Sequence, residues 1–162
     1  MPNHAEIPRR RAVGIVRLGQ SYVEAAEALE QLDGGTSEPR YFLYGHGVEL
    51  CLKALLVVDG ASEHELRKVG HDLGQATRLL RERGLMPELG LTNSDWKLVE
   101  WLNRYYQEKE FEYLIVGYKE LPHPADLKPM TERLLKGAWS CIGRRLRAGS
   151  AVSGGTADAG PA

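Results

Sequence analysis

Four ionisable side chains sit where apolar residues otherwise prevail: Glu49 and Lys53 in Glu49-Leu50-Cys51-Leu52-Lys53-Ala54-Leu55-Leu56, and His71 and Asp72 in Gly70-His71-Asp72-Leu73. A glutamate four residues ahead of a lysine is the order that best suits an ion pair along a helix. On a solvent-exposed face such a pair contributes only about 0.3–0.5 kcal/mol. On a helix that is apolar over most of its surface, each charge needs a partner to offset its desolvation. The pair is therefore expected to fix the packing register of a buried helix, with membership of a polar site as the competing role. His71 and Asp72 put an imidazole beside a carboxylate, types that serve proton transfer or metal ligation. The simpler expectation starts a helix at His71 and places Asp72 in its first turn, where the positive end of the helix dipole stabilises a carboxylate.

Other candidates carry less chemistry. Arg104-Tyr105-Tyr106 joins a cation to two rings that could stack on a base, a possible nucleic-acid contact, although adjacent aromatics at a helix end usually divide between core and rim. Arg9–Arg11 and the cluster Arg144, Arg145 and Arg147 would form one phosphate-binding patch only if the two ends of the chain meet. Otherwise each is a solvated helix end. The chain has no P-loop, no Gly-x-Gly-x-x-Gly, no Gly-x-Ser-x-Gly and no cysteine cluster, so no cofactor and no metal set is expected.

The elements that must position these residues read as helices. With 162 residues the chain is long enough for one compact core. A formal charge of −1 leaves no global field to draw it onto a polyanion. Cys51 and Cys141 lie in apolar helical contexts without metal spacing, which predicts reduced packing thiols. No run of about eighteen apolar residues and no N-terminal signal pattern is present, and the expectation is a soluble, cytoplasmic protein.

Ile15, Leu18, Tyr22, Ala25, Leu29 and Leu32 recur at steps of three and four, predicting a helix over 8–32 with that stripe buried. A helix over 39–58 is apolar round most of its circumference and should be central. A short helical turn on the surface over 61–69 precedes a helix over 71–83, capped by Gly84. Thr92, Asn93 or Ser94 caps a helix running to about residue 109. Residues 111–121 favour extended backbone but carry Gly117 and precede Pro122, which predicts an ordered, irregular crossing. The last helix covers 125–146. Residues 1–7 are expected as a flexible N-terminus, 8–147 as the domain, and the Gly-, Ala- and Ser-rich 148–162 as a disordered tail.

The run Tyr41-Phe42-Leu43-Tyr44-Gly45-His46-Gly47-Val48-Glu49-Leu50-Cys51-Leu52-Lys53-Ala54-Leu55-Leu56, followed by Gly70-His71-Asp72-Leu73, resembles prokaryotic HEPN-domain proteins, the higher-eukaryote and prokaryote nucleotide-binding family. Members often show an E-x-x-L-K-A helix and a later G-H-D-L. The resemblance is tightest over 41–85. It implies an all-α, up-and-down bundle of about five helices, commonly a homodimer, in proteins tied to RNA cleavage, toxin–antitoxin pairs and phage defence. A nucleotidyltransferase-type antitoxin is the partner it suggests. Active members use an Arg and a His four to six residues later as a metal-independent ribonuclease motif, and the string that fits here is Arg40 to His46. In that chemistry the His exchanges the proton of the ribose 2′-hydroxyl and the Arg stabilises charge on the phosphate. The family motif usually lies nearer the C-terminus, and six residues of regular helix leave the two side chains about 120° out of alignment.

His71-Asp72-Leu73-Gly74 also looks like the H-D-x-G of the HD metal-dependent phosphohydrolases, for which His46 and Asp126 would supply the remaining ligands. The charged stretch Glu65 to Lys68, broken by Gly70, does not match the apolar helix that usually precedes that pair. The function expected is thus binding of RNA, a nucleotide or a partner protein by a HEPN-like domain without strong catalytic activity. The alternatives are an endoribonuclease using Arg40 and His46 and, behind it, an HD-type hydrolase.

Overall fold

A computed structural model of the chain describes residues 6–33, 38–113, 115 and 117–153. They form an all-α protein of six helices: α1 (Glu6–Asp33), α2 (Glu38–Val58), α3 (Glu63–Val69), α4 (Leu73–Glu82), α5 (Asn93–Tyr106) and α6 (Pro124–Ser153), with a 3-10 turn at Met86–Leu89. No strand occurs among the described residues. The sixth helix, beyond the five expected, is α3. It occupies the stretch expected as a short helical turn, and Ser62 and Glu65 close a reciprocal capping box at its start.

α2 lies at the centre. Tyr44, Val48, Leu52 and Leu55 are fully buried on it, and α1, α4, α5 and α6 all pack against it. Its length and mean hydropathy would suit a membrane span, but 67% of that window is buried inside the protein, as befits a core helix.

The stripe of α1 that faces inward is not the one its large residues suggested. Ala12, Val16, Gly19, Val23 and Ala26 are buried, whereas Leu18 is 51% and Leu32 82% exposed. Both sets recur at steps of three and four, so the period alone does not choose between them. Backbone proximity does. A Cβ on Gly19 would lie 3.0 Å from the Gly47 carbonyl oxygen, and one on Gly47 would lie 2.7 Å from a Val23 methyl. Small and β-branched residues let the two backbones approach this closely. Gly19 opposite Gly47, with Glu30 paired to Arg40, makes α1 and α2 antiparallel.

Local rules end and start the remaining helices. Asp72 caps α4 by accepting from the Gln75 N–H at 3.0 Å, so the helix begins two residues later than expected, with Asp72 as its cap. Gly84, at φ 69°, turns the chain after α4. Thr92 and Asp95 form a second capping box at α5, and Arg133 on α6 grips the same carboxylate through Nε at 3.0 Å and Nη2 at 2.5 Å. The described part of 111–121 is irregular and anchored by side chains: Trp101 Nε1 donates to the Glu120 carbonyl at 2.6 Å, and Tyr41 donates to the Pro122 carbonyl at 2.9 Å.

α6 runs past residue 146 to Ser153. Ala148 and Ala151 are strong helix formers, and they carry the helix into the stretch expected as tail. Likewise α1 starts at Glu6, inside the expected N-terminal arm. Residues 1–5 and 154–162, the rest of those two segments, lie outside the described residues.

Two glycines test the packing in opposite directions. A Cβ on Gly137 would come within 2.4 Å of the Leu89 carbonyl oxygen, where α6 crosses the 3-10 turn, while Gly14 in α1 has nothing within 4 Å. Gly137→Ala is expected to destabilise by about 1–3 kcal/mol through overpacking. Gly14→Ala is expected to stabilise by about 0.5–1 kcal/mol, since it only removes the entropic cost of a glycine in a helix. Urea unfolding followed by circular dichroism reads both.

Candidate functional site

Residues 46, 49 and 53 follow one another at steps of three and four, so they share one face of α2. At their centre Glu49 is 2% exposed. Its Oε1 accepts from Lys53 Nζ at 2.5 Å. Its Oε2 accepts from the Tyr106 hydroxyl at 2.5 Å and from His71 Nδ1 at 2.9 Å. His46 Nδ1 lies 2.9 Å from the Tyr106 oxygen and 3.6 Å from Glu49 Oε2.

The proton inventory follows from donor and acceptor chemistry. An ionised carboxylate only accepts, so the tyrosine O–H and the His71 Nδ1–H both point to Glu49. Tyr106 has then used its proton, and His46 Nδ1–H donates to its oxygen.

Each partner arrives by a different route. His71 stands in the α3–α4 turn, directed there by Gly70 at φ 53°. Tyr106 ends α5 and lies flat on α2 only because residue 45 has no side chain: a Cβ there would sit 2.4 Å from the tyrosine ring. Phe42 stacks on His46 at a centroid distance of 5.6 Å and Tyr22 meets it edge-on at 4.5 Å. The imidazole is thereby held between α1 and α2.

Burial alone would raise the pKa of Glu49, but the nearby His46 imidazole and hydrogen bonds from Lys53, Tyr106 and His71 outweigh it and hold the carboxyl well below the ordinary 4.5. Burial and the adjacent Glu49 charge push Tyr106 well above the ordinary 10.0. The carboxylate is therefore a weak base and the phenol a permanent donor. This is a charge-assisted network joining α2, the α3–α4 turn and α5.

The other candidates are placed elsewhere. The Asp72 carboxylate is occupied by the Gln75 N–H and by Asn103 Nδ2, the latter at 3.0 Å. Arg40 is 1% exposed, pairs with Glu30 at 3.0 Å and lies 5.7 Å from the Tyr44 ring centroid. The described partners of Arg40 and of His46 are thus different residues. Asp126 is exposed in the first turn of α6, and among the described residues no group of three or more His, Cys, Asp or Glu is arranged to hold a metal ion.

Of Arg104, Tyr105 and Tyr106, only Arg104 stands in solvent. Tyr105 packs near Phe111 and accepts from the Glu120 N–H, and Tyr106 is 2% exposed, so neither offers a bare ring to a base. At the basic ends Arg11, Arg144 and Arg145 have carboxylate partners. Arg11 pairs with Glu63, Arg144 and Arg145 pair with Glu88, and Arg145 also reaches Asp59. Burial pushes the Cys51 thiol up to about 12 and that of Cys141 to about 11, so both cysteines are inert packing groups as expected.

Tyr106 as a partner of Glu49 was not apparent in the sequence. The available signal was Gly45 itself, a glycine within a helix of strong formers, which marks a close approach. Lys53 and His71 have a second aspect. Both also line a surface cleft of about 460 Å³ that Arg11 and Arg67 share. Comparison of the chain with family models, curated proteins and solved structures finds no match. Fold and site together define an all-α protein of six helices built round a buried glutamate.

Removing the charge should expose its role. Glu49→Gln leaves Lys53 facing an amide and is expected to cost about 3 kcal/mol, and Tyr106→Phe about 1–2 kcal/mol. Because the folded carboxyl lies below 4.5, its contribution is fully present above that pH and is lost as pH falls through the lower folded value. Unfolding free energies measured from pH 7 to 3 should therefore fall below about pH 4.5 in the wild type. The decline should be shallower in Glu49→Gln, with a residue left by Glu88, whose pKa Arg144 lowers to about 2.

Proposed function

We propose that this chain is a HEPN-like helical protein that binds RNA, a nucleotide or a partner protein and does not itself cleave RNA. One observation carries the reading: the motif residues Glu49, Lys53 and His71, with His46, are joined in a single hydrogen-bonded hub centred on a carboxylate that is 2% exposed. A ribonuclease base needs an imidazole free to take a proton from the 2′-hydroxyl beside a cation that meets the phosphate. Here the imidazole is held through Nδ1 by Tyr106 and packed by Phe42 and Tyr22, while the cation, Arg40, is buried against Glu30 and shares no described partner with it. The HD-type alternative lacks support for a parallel reason, since Asp72 serves as a helix cap and Asp126 faces solvent.

The antiparallel α1–α2 pair and the central α2 support an up-and-down bundle of the HEPN kind. Ile7, Leu18 and Leu32, all on α1 and at least half exposed, support a homodimer. The biological setting proposed with this reading is a prokaryotic toxin–antitoxin or phage-defence pair, with a nucleotidyltransferase-type antitoxin as partner.

Incubation of purified protein with RNA in EDTA is the direct test. Intact RNA with wild type and His46→Ala alike is the expected result. Cleavage that disappears in His46→Ala while helical content stays unchanged would overturn the non-catalytic reading in favour of the Arg40–His46 nuclease.

A further inference from the structure

We infer that the cleft between α1, α2, α3 and the α3–α4 turn is a binding site for a small phosphomonoester that carries a compact apolar or aromatic body. The inference rests on the binding reading above and gives it a place and a ligand class. Its lining divides by chemistry. Arg11, Lys53, Arg67 and His71 supply polar groups, whereas Ile15, Leu50 and Leu66 supply an aliphatic wall. An inorganic ion would use only the first set, and an apolar ligand only the second.

The charges within reach leave the cleft positive. Glu49 compensates Lys53 from the buried side, and Glu63 compensates Arg11, both members of that pair being about half exposed. Arg67, in the last turn of α3, has no acidic partner among the described residues. Its guanidinium fork matches phosphate oxygens in pairs. Lys53 gives one of its three N–H donors to Glu49 and keeps two for an anion. His71 has its Nδ1–H committed to Glu49, which leaves Nε2 to accept from a ligand hydroxyl. Gly70 lines the same cleft without a side chain to fill it.

Size separates a small ligand from a nucleic-acid strand. A volume of about 460 Å³ suits a mononucleotide-sized molecule. A polymer would need a basic track leading away from the cleft. The other arginine cluster, Arg144 and Arg145, is instead tied to Glu88 and Asp59, and the whole chain has a formal charge of −1.

Isothermal titration of the full chain with AMP, inorganic phosphate, adenosine and a ten-residue oligouridylate tests the site. AMP is expected to bind one to one with a Kd at or below about 1 mM, and phosphate and adenosine each more weakly. Arg67→Glu, a change at an exposed position, should weaken AMP roughly tenfold with an unchanged melting temperature, and Arg67→Gln should fall between it and the wild type. Lys97→Glu, an exposed charge reversal on α5, should leave the affinity as it is. No saturable AMP binding up to about 10 mM, or AMP binding indifferent to Arg67→Glu, would overturn the assignment. Oligouridylate binding without AMP binding would also overturn it while leaving the broader binding reading intact. RNA cleavage in EDTA would remove that broader reading whatever the AMP titration gives.

Discussion

A carboxylate withdrawn from water keeps its charge only where the protein replaces the hydrogen bonds that water would have made. Glu49 meets that condition with donors from three separate segments: Lys53 on its own helix, His71 from the α3–α4 turn and Tyr106 from the end of α5. None of the three can be withdrawn without leaving the charge under-compensated, so the segments are held in mutual register. An apolar core of leucines tolerates small slips of one helix past another. A charge that requires named donors within hydrogen-bond distance tolerates far less. The leucines and valines around α2 supply the bulk of the burial, and the glutamate adds fixed contacts to three segments.

That arrangement depends on backbones coming unusually close, which explains the glycines on either side of His46. Gly45 makes room for the Tyr106 ring, and Gly47 lets α1 approach at Gly19. Each glycine costs about 0.5–1 kcal/mol of helix stability relative to alanine. The cost is offset by contacts that a Cβ would forbid. His46, between the two, is caught by Tyr22 from one side and Tyr106 from another. The Gly-His-Gly segment is thus a point of close contact with both α1 and α5.

Much of the fold was legible because it rests on local rules. The apolar circumference of residues 39–58, the cap at Thr92, the turn at Gly84 and the irregular crossing before Pro122 each follow from residue types acting on their neighbours. Glu49 and Lys53 were also visible, as charges in the wrong surroundings. The buried face of α1 was not, since two stripes share the same period and the choice lies with Gly47, twenty-eight positions away from Gly19 in the chain. Nor was the role of Tyr106, whose hydroxyl meets a carboxylate separated from it by 57 residues. Arg104, Tyr105 and Tyr106 are adjacent in the chain, yet they point to solvent, to the crossing segment and to the core, respectively. Adjacency along a helix end is a poor guide to a shared surface, because successive residues turn by about 100°.

The position of Lys53 and His71 gives the buried hub a consequence at the surface. Both side chains touch Glu49 on one side and line the cleft on the other, so anything that engages them from solvent acts on groups already fixed from within. Pre-fixed donors lose little conformational freedom on binding, which favours recognition over turnover. The same hydrogen bonds hold the Glu49 carboxyl ionised and the Tyr106 phenol protonated. A network that joins α2, the α3–α4 turn and α5 therefore also sets the positions of two side chains that line the cleft. The physical demand that a buried charge be fully hydrogen-bonded thus shapes core and surface together.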